Sequence, residues 1–306
     1  MGKKQSKYLR EVETYDAHDD SINYVTILPS GNIISVSTDK SIKIWDININ
    51  LLQNIKNAHN DKINYVDKKD EKNFVTCSNN KNIKTWIKNK NEYELNQIIE
   101  KAHNKEITKI QYLQNGNLIS SSLDNKIKIW NLIKKNNKYQ LMSIINHRYS
   151  IISFLILEDK NLLISAKSYL IKFWNLNFYN FIWELSEMHC ENCNGIERLD
   201  ENRILIGGGI HYVKIISIKE RKIIKSLYLD FDCIGIFVLR NKNLFIVINW
   251  PMVIQLYRND NYELYQYFQL CSDRIGINGF TVLNNGLVLS YGSRKLKIWN
   301  FLKDKT

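Results

Sequence analysis

The sequence predicts an all-β fold, a seven-bladed β-propeller of four-stranded antiparallel blades, and three observations predict it. A tryptophan-centred strand returns at Trp45, Trp86, Trp130, Trp174 and Trp299, with Ile216 and Tyr257 filling the two gaps. The steps between these positions are 41, 44, 44, 42, 41 and 42 residues, a period that marks one small sheet per repeat. Inside each period, short β-branched and aromatic runs alternate with turns rich in Gly, Asn and Asp. A histidine also stands 27 residues before the repeat position in five units, at His18, His59, His103, His147 and His189.

The first unit sets the grammar. Ile22 to Leu28 alternates as a half-buried strand does, and Pro29-Ser30-Gly31-Asn32 supplies the turn. Ile33 to Ser37 is a second strand, Thr38-Asp39-Lys40 a second turn, Ser41 to Asp46 a third strand and Leu51 to Ile55 a fourth. The first turn recurs as Asn115-Gly116 and Asn285-Gly286, and the third strand as Ile127 to Trp130, Ile171 to Trp174, Val213 to Ile216 and Leu296 to Trp299. Blade six carries one extra residue, read near Trp250-Pro251, and blade seven is one short in the same turn. Lysine precedes the repeat position by two residues at Lys43, Lys84, Lys128, Lys172, Lys214 and Lys297, which spreads charge evenly over the blades.

Only seven residues follow Trp299, too few for a turn and a fourth strand. Residues 8–15 have the length and spacing of the segment from Tyr93 to His103, so they are expected to complete the last blade and leave no open sheet edge. Residues 8–306 then form one propeller domain, and residues 1–7 a flexible basic tail.

Composition narrows the function. With 306 residues and 44% hydrophobic content the chain can bury a large core. It has no run of eighteen apolar residues, and Met1 to Lys7 lack the apolar stretch of a secretory signal, so none is expected. Five cysteines do not form a disulfide framework, and a reducing cytoplasm is the expected home. Net charge is +12, which raises nucleic acid as a partner, but no stacking or base-reading motif accompanies the charge. Nucleic acid is therefore disfavoured.

These repeats resemble the WD-repeat (WD40) family of β-propellers over nearly the whole chain. The family's dipeptide stands intact once, as Trp45-Asp46, and becomes Trp130-Asn131, Trp174-Asn175 and Trp299-Asn300 elsewhere; its Gly-His pair is Ala-His in the first three units. In that family a buried Trp, Ser or Thr, His and Asp form a hydrogen-bonded set. The resemblance implies such sets from Trp45, Ser35, His18 and Asp39, and from Trp130, Ser120, His103 and Asp124. It implies a weaker one from Trp86, Thr76, His59 and Asn80, and in blade four Ser168 beside Trp174 and His147 without an acid. Blades five to seven lack the complete set and are expected to rely on apolar packing. The resemblance also nominates one rim for partner recognition: Ser21, Asn23, Thr38, Lys62, Asn64, Asn79, Glu106, Thr108, Leu123, Ser150 and Lys167. The Trp-Asp-x-Arg box of ubiquitin-ligase adaptors is absent, since the chain reads Trp45-Asp46-Ile47-Asn48.

The tail reads Met1-Gly2-Lys3-Lys4-Gln5-Ser6-Lys7. Gly2 with Ser6 fits the N-myristoylation pattern. One acyl chain holds a membrane only marginally, so Lys3, Lys4, Lys7 and Arg10 would supply the second signal at an anionic leaflet. Cys190 and Cys193 have a zinc-like spacing but no second pair completes four ligands. Gly207-Gly208-Gly209 lacks the Lys-Ser/Thr of a phosphate loop and reads as a hairpin turn. No cofactor, metal or catalytic set is expected. Three functions stay open: a membrane-tethered scaffold for proteins or peptides, a soluble cytosolic subunit of a larger complex, and, least supported, a propeller enzyme. The first two place a monomeric propeller within complexes, the first at the cytoplasmic face of a membrane.

Overall fold

The computed structural model describes residues 9–167, 170–186, 195–208, 211–239, 243–249, 253–269 and 276–301. The chain opens on β1 (Leu9–Asp16). Blade one is β2 (Ile22–Ile27), β3 (Ile33–Ser37), β4 (Ile42–Trp45) and β5 (Leu51–Ile55). Blade two is β6 (Ile63–Lys68), β7 (Asn73–Ser78), β8 (Ile83–Asn89) and β9 (Glu92–Ile99). Blade three is β10 (Ile107–Tyr112), β11 (Leu118–Ser122), β12 (Lys126–Ile133) and β13 (Lys138–Asn146). Blade four is β14 (Ser153–Leu157), β15 (Leu162–Lys167), β16 (Leu170–Asn175) and β17 (Phe181–Leu185). Blade five is β18 (Gly195–Arg198), β19 (Arg203–Gly207), β20 (Tyr212–Ser217) and β21 (Lys222–Tyr228). Blade six is β22 (Cys233–Leu239), β23 (Leu244–Asn249), β24 (Val253–Arg258) and β25 (Leu264–Gln269). Blade seven is β26 (Gly279–Val282), β27 (Val288–Gly292) and β28 (Lys295–Phe301), with β1 as its fourth strand.

The N-terminal strand pairs antiparallel with β28, from Leu9 opposite Phe301 to Asp16 opposite Lys295. The pairing runs on into Ala17, whose N–H donates to the Arg294 carbonyl at 2.8 Å. It takes in residues 9–15 of the expected segment and ends one residue later; Tyr8 lies outside the described residues. Seven four-stranded antiparallel sheets, the last completed from the N-terminus, make this a seven-bladed β-propeller. The chain divides into two compact units: His18–Lys167 with Ile171–Glu184, and the chain from Leu185 onward with the first strand.

Within each unit the core lies between consecutive sheets. In the first, Ile34, Val36 and Ile44 of blade one meet Val66, Phe74 and Trp86 of blade two. Val75 and Cys77 meet Ile110 and Trp130, and Ile119 and Ile129 meet Phe154 and Trp174. In the second, Leu205 and Ile215 meet Ile236, Phe245 and Tyr257, and Ile246 and Leu256 meet Phe280 and Trp299. Each repeat residue named here thus packs against the preceding blade. The turns follow the residues that permit them. Gly31 has φ of 94°, a left-handed angle open to glycine, and its N–H closes the turn on the Leu28 carbonyl at 2.9 Å.

Two bulges recur. In the first strands of blades one, two and three the register skips Asn23, Asn64 and Thr108. In the fourth strands it skips Leu52, Asn96 and Met142, opposite the repeat tryptophan. The expected insertion in blade six is moved by the register. Asn249 stands eight residues before Tyr257, as Ser37 does before Trp45, so that turn has normal length. The extra residue lies upstream, between Cys233 and its partner Asn249 on the next strand. Blade seven is one residue short as expected: Val288 opposes Trp299, whereas Ile33 opposes Trp45.

Candidate functional site

The polar residues that recur with the period converge inside the blades. In blade one the Trp45 Nε1–H donates to Ser35 Oγ at 2.9 Å, and Ser35 Oγ lies 2.7 Å from His18 Nε2. His18 Nδ1 lies 2.8 Å from Asp39 Oδ2. One proton placement satisfies the set: indole to hydroxyl, hydroxyl to imidazole, imidazole to carboxylate. Blade three repeats it with Trp130 to Ser120 at 2.9 Å, Ser120 to His103 at 2.8 Å and His103 to Asp124 at 3.0 Å. In blade two, Trp86 donates to Thr76 at 2.9 Å and Thr76 reaches His59 at 2.8 Å. Its last link is stretched, with His59 to Asn80 at 3.4 Å. Among the described residues no partner meets the Asn80 amide nitrogen.

Electrostatics follows this geometry. Burial alone would raise the Asp39 carboxyl, but hydrogen bonds from His18 and Ser41 outweigh it and hold the group well below the usual carboxylate range. Asp124 is treated alike, with burial opposed by His103 and the Asn104 N–H, and falls to about 2. His59 has no carboxylate beside it. Burial, with the Lys84 charge, pushes it down to about 3, so it stays neutral.

Blade four departs from expectation. Ser168 lies outside the described residues. Trp174 donates instead to Ser165 Oγ at 2.8 Å, nine residues back rather than ten. Blade seven does the same: Trp299 donates to Ser290 Oγ at 2.8 Å. The nine-residue spacing was visible in the sequence, and it names both serines once the shorter turn is recognised. Blades five and six do pack by apolar contact. Ile216 is fully buried opposite Ile204, and Tyr257 stacks on Phe245 with centroids 5.2 Å apart.

The periodic lysines, one to a blade as the sequence spaces them, also make contacts within the blades. The Lys128 ammonium donates to the Ala102 carbonyl at 2.6 Å and lies 5.8 Å from the centroid of the Trp130 indole. Lys84 donates to the Ala58 carbonyl at 2.7 Å. Lys43, Lys172 and Lys297 cover Trp45, Trp174 and Trp299 at 5.9, 5.7 and 6.0 Å. Burial lowers Lys84 and, against the pull of Asp124, Lys128. Much of the periodic positive charge is therefore used within the blades.

Three of the nominated rim residues bridge to the next blade. Asn23 Nδ2 donates to the Ile63 carbonyl of the next blade at 2.8 Å, and to Thr38 Oγ1 at 3.1 Å. Asn64 Nδ2 donates to the Ile107 carbonyl at 2.7 Å and to Asn79 Oδ1 at 2.8 Å. Thr108 Oγ1 donates to the Ile151 carbonyl at 2.9 Å and meets Ser121 at 2.8 Å. The first-strand bulges aim these side chains at the neighbouring blade. Ser21, Lys62 and Glu106 receive main-chain bonds from Thr38, Asn79 and Leu123. All ten described members, Ser150 included, are half-buried. The Lys167 side chain lies outside the description. So do Gly2, Lys3, Lys4 and Lys7, the Arg10 side chain, and Cys190 and Cys193. Among the described residues no three His, Cys, Asp or Glu side chains gather as metal ligands.

A sheet repeat pinned by Trp, Ser, His and Asp defines a class, the β-propellers built of tetrad-bearing repeats. The family model described as "WD domain, G-beta repeat" matches residues 9–46 and 94–131. Each stretch carries one complete set: His18, Ser35, Asp39 and Trp45 in the first, His103, Ser120, Asp124 and Trp130 in the second. These two matches and the seven four-stranded blades support a WD-repeat propeller, a class whose members are typically protein-interaction scaffolds. No curated protein matches the sequence.

Proposed function

We propose that this chain is a non-enzymatic interaction scaffold for proteins or peptides, held at the cytoplasmic face of a membrane by acylation of Gly2 and by Lys3, Lys4, Lys7 and Arg10. The observation that carries the scaffold reading is the use of its polar residues. Histidine, serine and aspartate meet at hydrogen-bonding distance in two blades, as in a nucleophilic triad, but the serine also accepts the indole N–H and every member is occupied in joining strands. The membrane part rests on the Gly2-to-Ser6 pattern and flanking lysines. Metabolic labelling with a myristate analogue, followed by membrane fractionation and proximity labelling, tests it. Wild-type chain is expected to take the label and to sediment with membranes, and Gly2→Ala to do neither. Equal membrane fractions would leave a soluble cytosolic subunit as the function.

A further inference from the structure

The repeat supplies an internal control for every position, and blade five breaks it at one corner. Blades one to three put a polar residue in left-handed backbone before the third strand: Lys40 and Lys81 with φ of 70° and Asn125 with φ of 66°. The next residue and its fourth-strand partner are polar as well. Blade three pairs Lys126 with Asn146. Blades one and two run from Ile42 opposite Ile55 and Ile83 opposite Ile99 into Ser41 with Lys56 and Asn82 with Glu100. In blade five the left-handed residue is His211, with φ of 55°, and the pair is Tyr212 opposite Tyr228.

These aromatics form one cluster. Tyr212 meets Tyr228 edge-on with centroids 5.5 Å apart, and the His211 ring stacks on Tyr228 at 5.9 Å. The turn is fixed from behind, because the Leu229 N–H donates to the His211 carbonyl at 2.8 Å and His211 Nδ1 lies 3.1 Å from the Leu229 carbonyl. The connection to blade six is only Leu229–Asp232. It brings the exposed Asp230, Phe231 and Asp232 beside the cluster, with Asp232 Oδ1 3.9 Å from His211 Nε2. Tyr228 is 67% exposed and Phe231 44%. Burying neither serves the fold. Lys214, the nearest periodic lysine, is buried, and Lys225 stands three residues back along β21. On a chain of net charge +12, this corner presents two exposed carboxylates and two exposed aromatic rings.

Aromatic faces attract cations, carboxylates pair with guanidinium and ammonium groups, and a fixed surface loses little entropy on binding. We propose that the Tyr212–Tyr228–Phe231–Asp232 corner of blade five docks a lysine- or arginine-bearing segment of a partner protein. This rests on the scaffold reading and is independent of acylation. The test uses the full, unacylated chain and two fluorescein-labelled peptides of equal length, one alternating Arg and Gly and one alternating Glu and Gly, followed by fluorescence polarisation. The Arg peptide is expected to bind, and its Kd to rise about tenfold in Tyr228→Ala and in Asp232→Asn. A Lys56→Ala control at the matching position of blade one should leave it unchanged, and thermal melts of all variants should match wild type. Failure of wild type to bind the Arg peptide overturns the proposal, as does binding that both variants retain or equal binding of the Glu peptide. A wild-type dimer in sedimentation that Asp232→Asn dissolves would assign the corner to a second copy instead. Cellular partners captured equally by wild type and both variants would overturn this surface and leave the scaffold reading standing.

Discussion

In blades one and three, four polar side chains hold the third strand; in blade six, Tyr257 keeps the same place by stacking on Phe245. Both solutions bury the repeat residue, Trp45 to 6% exposure and Tyr257 to 6% as well. They differ in what they demand of the sequence. Apolar packing accepts many residues of similar volume. A buried indole, hydroxyl and imidazole need each partner at one distance and angle, or the remaining groups lose their hydrogen bonds. The family match follows the second demand: it covers the two blades whose histidine meets an aspartate. The blade-two set, His59, Thr76, Asn80 and Trp86, with asparagine in that place, lies between the matched stretches.

The strongest way to break the comparison is to remove the strand that completes the apolar unit. Deleting residues 1–16 strips β1 from β28 and bares a sheet edge. The variant is expected to lose its cooperative melt and to scatter light, whereas deletion of 1–6 should leave the circular-dichroism melt unchanged. Equal behaviour of the two truncations would refute the pairing.

Next in size, Asp124→Ala should cost about 2–3 kcal/mol in urea denaturation at neutral pH, since it leaves His103 without its acceptor. Ile216→Ala should cost a comparable or larger amount, about 2–5 kcal/mol, by opening a cavity. Acid separates the two. The Asp124 carboxyl is depressed from its ordinary 3.8 to about 2 in the fold, so its contribution is present above pH 3.8 and is lost as pH falls towards 2. His59, lowered from 6.5 to about 3, favours the fold above pH 6.5 and loses that contribution as pH falls towards 3. The Asp124→Ala deficit should therefore shrink in acid while the Ile216→Ala deficit does not follow it. A deficit for Asp124→Ala that is unchanged near pH 2 would sink the assignment.

The smallest effect sharpens the comparison. Asn80→Asp replaces the amide nitrogen that has no partner among the described residues and gives His59 a carboxylate, as in blades one and three. A gain of about 1 kcal/mol is expected. A loss would mean that blade two is packed around the amide and is no weakened copy of its neighbours.

Much of the architecture was legible because the period is local. Each strand, each glycine-bearing turn and the tryptophan-to-serine spacing of blades one to three repeat along the chain, and counting to the end placed the missing strand at the N-terminus. The site was less legible. Asn23, Asn64 and Thr108 resemble free rim residues in a sequence, since nothing local says that a bulge turns them towards the next blade. The period places Lys128 two residues before Trp130, but only the structure shows its ammonium on the Ala102 carbonyl and near the Trp130 indole.

The sequence by itself determined the number of blades and the strand that completes the last one, which follow from the spacing of hydrophobic and turn residues along one chain, short-range information. The complete polar sets around Trp45 and Trp130 were what its resemblance to WD repeats implied. The tertiary structure was needed to see that Trp174 and Trp299 take Ser165 and Ser290, although the nine-residue spacing stands in the sequence, because the register shows which side chain the pleat sets opposite the indole. It also decided where the lysines point and which polar residues are consumed at the seams. Those outcomes depend on neighbouring sheets in contact, and no period along the chain encodes them.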